Sequence, residues 1–284
     1  MDTKQGAADF LYCEEIIKKH SKSFYYAFSQ LPEKKAKAIY AIYAFCRSAD
    51  DRVDENIDSI SQRRDLERLK HELDLFNRGE EINHPLWRAL RHVFNHYDMD
   101  IQPFYDQLIG QGMDIDFKQP NTLEQLEDYS YYVAGTVGYM LLPIIGSKSM
   151  TSLKGAAIDL GVAMQITNIL RDIGEDYQEK ERIYLPKEDL DYIGYSINDL
   201  SSGVINESFI ELWEKLALRA EVLYDSFTKH IHHFDSDSQM PVALSAQVYR
   251  GILNAVRDNN YDCLSMRNYV AKEEMEQMNS VISK

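Results

Sequence analysis

Apolar residues in this chain recur with the period of an α-helix, and no run alternates convincingly with period two. The stretch 36–56, AKAIYAIYAFCRSADDRVDEN, holds neither Gly nor Pro and is apolar almost all round from Ala38 to Cys46. A helix of that pattern has to be buried on most of its faces. The stretch 59–79 starts at serines able to cap a helix, ends at Gly79, and repeats Leu66, Leu69, Leu73 and Phe76 along one side. Pro85 falls near the first turn of the next segment, as helix starts allow. Segments 123–146 and 152–177 are long and mostly apolar, and 209–231 and 241–261 complete the pattern. The prolines lie between these segments, except Pro143, which is expected to kink or end its helix. No low-complexity linker or internal repeat interrupts them. The pattern predicts one all-α domain over 1–284, with about ten helices around a common interior.

Charge narrows the class. The net charge of -15 lacks the basic face that nucleic acid demands, so no nucleic-acid partner is expected. An acidic protein can still bind an anionic substrate if a divalent metal or a local Arg/Lys cluster inverts the field. Cys13, Cys46 and Cys263 are odd in number and widely spaced, which fits neither a disulfide framework nor a zinc site. The opening MDTKQGAADFLYCEE has acidic residues where a signal peptide carries basic ones. No window reaches about eighteen apolar residues without charge. The expected setting is cytoplasmic.

Two carboxylate clusters stand out. In FCRSADDRVDEN, Asp50 and Asp54 are one helical turn apart, with Arg47 and Tyr43 on nearly the same face. In QITNILRDIGEDYQ, Asn168, Asp172 and Asp176 sit at i, i+4 and i+8, preceded by Gln165, on a helix otherwise carrying Ile166, Ile169, Leu170 and Ile173. With 46 acidic residues, chance alone supplies roughly seven acidic i,i+4 pairs, and one such pair is ordinarily a solvated face. Three features argue otherwise. Each cluster ends an apolar helix, there are two of them, and each lies beside an arginine. Two opposed acidic faces suit two or three Mg²⁺ ions, which take a few carboxylates plus substrate phosphate oxygens. Such ions stabilise a departing diphosphate. Arg47, Arg171 and Lys22 are further cations for those phosphates. An apolar cavity beneath would hold a hydrocarbon tail and exclude water. Of the five acids from Asp172 to Glu181, Asp172 and Asp176 are expected ligands. Glu179 and Glu181 are expected past the helix end, as solvated charge.

Four blocks, HSKSFYYAF (20–28), YAIYAFCRSADDRVD (40–54), YVAGTVGYMLLPI (132–144) and QITNILRDIGEDYQEKERIYLP (165–186), resemble the signature blocks of the squalene/phytoene synthase family, in order along nearly the whole chain. The resemblance implies the all-α isoprenoid synthase fold and head-to-head joining of two allylic prenyl diphosphates through a cyclopropyl intermediate. It implies Mg²⁺ ligation by Asp50, Asp54, Asn168, Asp172 and Asp176, and catalytic roles for Asp50, Asp54, Asp172, Asp176, Tyr129 and Arg47. Ser21, Lys22, Ser23, Arg47, Gln165, Arg171, Tyr249 and Arg267 would contact diphosphate, and Tyr43, Tyr129 and Tyr184 would line the reacting centre. Phe24, Val133, Ala134, Val137, Gly138 and Gly161 would line the prenyl tunnel. Gly135, Gly138 and Gly161 serve close helix packing equally well, and His20 reads as a structural donor. The general base stays open between released diphosphate and a tyrosine.

Within the family, a charged, amphipathic tail in place of a membrane anchor favours a non-reduced product, so no NADPH is expected. Phe28 and Tyr40, the latter about 15 Å below the metal site, are expected to floor the tunnel and select farnesyl diphosphate, giving a C30 hydrocarbon of carotenoid synthesis. A C40 product from geranylgeranyl diphosphate, NADPH-dependent squalene formation, a terpene cyclase of the same fold and an inactive ion-binding scaffold are the rivals. A transient peripheral membrane contact suits an insoluble product, although net charge -15 opposes anionic lipid. The oligomeric state is left open.

Overall fold

Fifteen α-helices, one π turn, one 3₁₀ turn and no strand make up the regular structure among the described residues, 4–54, 58–80 and 82–282, of this computed structural model. The first six helices are α1 (Lys4–His20), α2 (Lys22–Phe28), α3 (Glu33–Asp54), α4 (Ser59–Asn77), α5 (Pro85–His96) and α6 (Gln102–Ile115). Then come α7 (Leu123–Ser130), the π turn (Tyr131–Gly135), α8 (Thr136–Ile145), α9 (Met150–Arg171), α10 (Ile173–Lys180), α11 (Lys187–Ile193) and α12 (Ile197–Ser201). The chain ends through α13 (Glu207–Thr228), a 3₁₀ turn (Ile231–His233), α14 (Gln239–Asp258) and α15 (Lys272–Ile282).

The helix that reads as apolar almost all round, α3, and the long, mostly apolar α9 take the interior. α9 packs against α8, the π turn, α13 and α14, while α3 packs against α1, α4, α5, α6 and α8. One buried apolar cluster draws residues from Phe10 to Leu264. The carbonyl-to-glycine approach between α8 and α9 is very close. A Cβ on Gly138 would stand 2.0 Å from the Ala157 carbonyl oxygen, and one on Gly161 would stand 2.2 Å from that of Ala134. Only glycine admits such contact. No helix among the described residues is long and apolar enough to cross a membrane.

Several boundaries differ from the sequence reading. The segment 123–146 is interrupted by the π turn, which widens the helix where Val133 and Ala134 face a cavity. Pro143 sits in the last turn of α8, which ends two residues later at Ile145. Asp58, not a serine, caps α4 by accepting from the Ser61 amide at 2.9 Å. The segment 152–177 breaks at Asp172. There the Leu170 carbonyl accepts from the Trp213 indole at 3.1 Å, and the Gly174 amide donates to the Cys263 carbonyl at 3.0 Å. Those two groups would otherwise pair within the helix, so one rung is lost while Asp172–Asn168 and Asp176–Asp172 persist on either side. Glu179 lies within α10, and Glu181 is its left-handed cap at φ 52°. Asn56, the last residue of the expected first acidic segment, and Lys284, the end of the tail, lie outside the described residues.

Candidate active site

A cavity of about 990 Å³, mouth included, runs between α2, α3, α8, α9 and α14. Its mouth carries Asp50, Tyr43, Gln165, Asn168 and Tyr249, and its walls carry Phe24, Val133, Ala134, Val137, Gly138 and Gly161, so these residues of the sequence reading line one cavity. Phe28 lies deeper, edge-on to Phe24 with ring centroids 4.5 Å apart. Ile145, Phe227, Phe234 and Val242 complete the lining on that side.

Two placements on α3 differ from the sequence reading, by helical geometry. At 100° per residue, Asp50, Cys46 and Tyr43 form a stripe on α3, but Arg47 and Tyr40 stand about 60–80° off it. Tyr40 is therefore not a floor residue; it is buried against Tyr25, 5.7 Å between rings. Arg47 borders a separate polar cavity with His20, Ser48 and Asp51, where it is ion-paired to Asp51 and its Nε is buried without a partner among the described residues. Ser21, Lys22 and Ser23 span the α1–α2 junction and line neither cavity.

The carboxylates fall into two kinds. The outer ones have cations of their own: Lys180 Nζ is 2.9 Å from Asp54, Arg171 Nε donates to Asp172 at 2.7 Å, and Arg267 reaches Asp172 at 3.4 Å and Glu175 at 3.1 Å. Among the described residues, the inner ones do not. Asp50 there accepts only from the neutral Gln111 amide, at 2.6 Å. Desolvation pushes its carboxyl up to about 7 against the pull of Arg47, with Asp54 and Asp114 adding like charge. Desolvation and the Asp172 charge push Asp176 up to about 7 as well. The Asn168 Oδ1 is buried with no partner among the same residues. Nor do any three of their His, Cys, Asp or Glu side chains converge closely enough to chelate one ion. Yet the donors are all oxygens, two carboxylates are forced upward by burial and by neighbouring like charge, and one amide oxygen is unsatisfied. That set fits a hard divalent cation that completes its shell with substrate oxygens.

A third acid, not anticipated, sits between these faces. Asp114, near the end of α6, accepts from Tyr129 Oη at 3.1 Å and from Tyr184 Oη at 2.9 Å, while Arg182 lies 3.7 Å away. Desolvation raises the Asp114 carboxyl, and burial beside it holds the Tyr129 hydroxyl well above its ordinary value, so Tyr129 keeps its proton. The two tyrosine rings stack at 5.1 Å. Asp114 has no acidic partner at i,i+4, so a search for paired carboxylates passes over it. The remaining signals were Gln111 three residues earlier and two site tyrosines in need of a common acceptor. Gln107, set in the apolar wall and bonded to Thr136 at 2.7 Å, was likewise missed.

A family model described as squalene/phytoene synthase matches residues 17–274. A 4,4'-diapophytoene synthase of Staphylococcus haemolyticus (strain JCSC1435) is 37% identical over 268 residues, covering 93% of this chain and 92% of that protein. A phytoene synthase of Arthrospira platensis is 36% identical over 270 residues, covering 91% of this chain and 87% of that protein. The crystal structure of a dehydrosqualene synthase in complex with ligand superposes with a TM-score of 0.93 at 44% identity, covering 99% of this chain and 97% of that one. Matched by the family model over most of its length and by relatives above 30% identity along nearly all of it, the chain belongs to the squalene/phytoene synthase family.

Proposed function

We propose that the protein joins two farnesyl diphosphates head to head, through presqualene diphosphate, to give dehydrosqualene (4,4'-diapophytoene), with two to three Mg²⁺ ions and no NADPH. The observation that carries this reading is an apolar cavity closed by Phe28 and Phe234 at depth and ringed by unneutralised oxygens at its mouth. Along α9 the lining runs from Asn168 to Ala157, about 16 Å, a depth suited to a farnesyl chain.

Asp50, Asp54, Asn168, Asp172 and Asp176 would hold Mg²⁺, which supplies charge neutralisation to a leaving diphosphate. Arg171 and Arg267 already lie on Asp172 and are placed to shift onto phosphate oxygens once that carboxylate is engaged. Ser21, Lys22, Ser23, Arg47, Gln165 and Tyr249 are assigned to diphosphate as well; Arg47 reaches it by leaving Asp51. Tyr43, Tyr129 and Tyr184 border the reacting carbons, and Asp114 orients the last two hydroxyls. The walls from Phe24 to Gly161 exclude water from the allylic cation. With Tyr129 holding its proton, released diphosphate is the stronger choice of base.

The 36% identity to a phytoene synthase favours condensation of geranylgeranyl diphosphate as the second reading. Equimolar farnesyl and geranylgeranyl diphosphates, supplied together with Mg²⁺, are expected to yield C30 hydrocarbon in large excess. A predominance of C40 product establishes the second reading instead.

A further inference from the structure

We infer that Lys35 sets the length of prenyl chain this tunnel accepts, by pinning the loop whose Phe234 closes the deep end. The inference rests on the prenyl condensation proposed above. Of the side chains at that end, Phe28 sits in α2, Ile145 in α8, Phe227 in α13 and Val242 in α14, all held by helical hydrogen bonds. Phe234 alone among them follows the 3₁₀ turn in irregular chain, buried and 5.6 Å from the Phe227 ring. Its place depends on what holds the next few residues.

Lys35 holds them. Its Nζ donates to Asp235 Oδ2 at 2.9 Å, Asp237 Oδ1 at 2.6 Å and Ser238 Oγ at 3.0 Å, which uses all three ammonium hydrogens. Asp235 is tied also to the end of α8: its amide donates to the Ile145 carbonyl at 2.9 Å, and Ser147 Oγ donates to its carboxylate at 2.9 Å. The lysine side chain is 16% exposed and that of Asp235 11%, so the pair is largely out of water. Lys35 is also fifteen positions before Asp50 on α3, about 22 Å away, far from any reacting atom. It is a positioning residue for the floor rather than a catalytic one.

Removing the ammonium leaves a nearly buried carboxylate without its counter-charge, an arrangement that drives the loop toward water. Phe234 withdraws with it, and room opens for a tail one isoprene unit longer. A general loss of fold would instead lower turnover of every substrate alike. The test is steady-state kinetics of Lys35→Met and Lys35→Arg with farnesyl and geranylgeranyl diphosphates separately, weighing the products. Lys35→Met is expected to raise the ratio of kcat/KM for the C20 substrate over the C15 substrate by about tenfold, as tail-pocket changes do. Lys35→Arg is expected to keep the wild-type ratio. An unchanged ratio in Lys35→Met overturns the inference. Should that variant not fold, Asp237→Asn, at a carboxylate 43% exposed, is expected to move the ratio in the same direction by less, and no movement overturns it equally. Wild-type protein that makes no C30 product defeats the proposed function itself, whereas C30 synthesis with an insensitive ratio defeats only the role of Lys35.

Discussion

Asp176→Asn is expected to lower kcat by about a thousandfold and, in protein stripped of divalent ions, to raise the melting temperature at pH 8. The two effects share one cause. Burial first, and then the charges of Asp172, Glu175 and Asp114 against the pull of Lys180, push the Asp176 carboxyl from an ordinary 3.8 up to about 7. A carboxyl raised in the folded state favours folding in its protonated form. That contribution is full below about pH 4, the unfolded value, and is lost as pH rises through about 7. At pH 8 the wild-type protein therefore carries a penalty that the asparagine variant lacks, and at pH 4 it does not. Scanning calorimetry of both proteins in chelator at the two pH values, beside turnover with Mg²⁺, measures each half. Near-normal turnover rules out Asp176 as a metal ligand. A melting gain that is absent at pH 8 rules out the penalty of holding this carboxylate charged in its buried place.

Gly161→Ala is expected to lower the melting temperature by about 5–10 °C and to depress turnover with it. The added methyl would meet the Ala134 carbonyl oxygen at 2.2 Å and the Gly135 Cα at 2.8 Å, both backbone atoms of the π turn that cannot rotate aside. The turn has to move, and Val133 and Ala134 move with it out of the cavity wall. Gly155, six residues earlier on the same helix, faces open space: a methyl there would meet nothing within 4 Å among the described residues. Gly155→Ala should thus be neutral or slightly stabilising, because alanine is the better helix former by roughly 1 kcal/mol. Equal melting temperatures for the two variants contradict the close-contact account.

Much of this architecture is legible in the chain itself. Periodicity places the helices because burial of an apolar stripe is what makes them stable, and the apolar stretches at 36–56 and 152–177 supply interior helices. The acidic pairs and the apolar blocks drew attention to Asp50, Asn168 and Gly138, which meet at one cavity. What escaped depends on distant partners. The break at Asp172 requires Trp213 and Cys263, forty or more residues away along the chain. Asp114 is meaningful only beside Tyr129 and Tyr184, and Lys35 only beside a loop two hundred positions on. Tyr40 and Arg47 were misplaced for a local reason. A step of three residues is 60° short of a full turn, enough to carry a side chain from the cavity to the next interface.

The most direct test is the mass of the hydrocarbon made from farnesyl diphosphate and Mg²⁺, with and without NADPH. The proposed head-to-head joining of two farnesyl diphosphates predicts one C30 product, dehydrosqualene, of the same mass in both reactions. A heavier, reduced C30 product formed only with NADPH, or no C30 hydrocarbon at all, contradicts it.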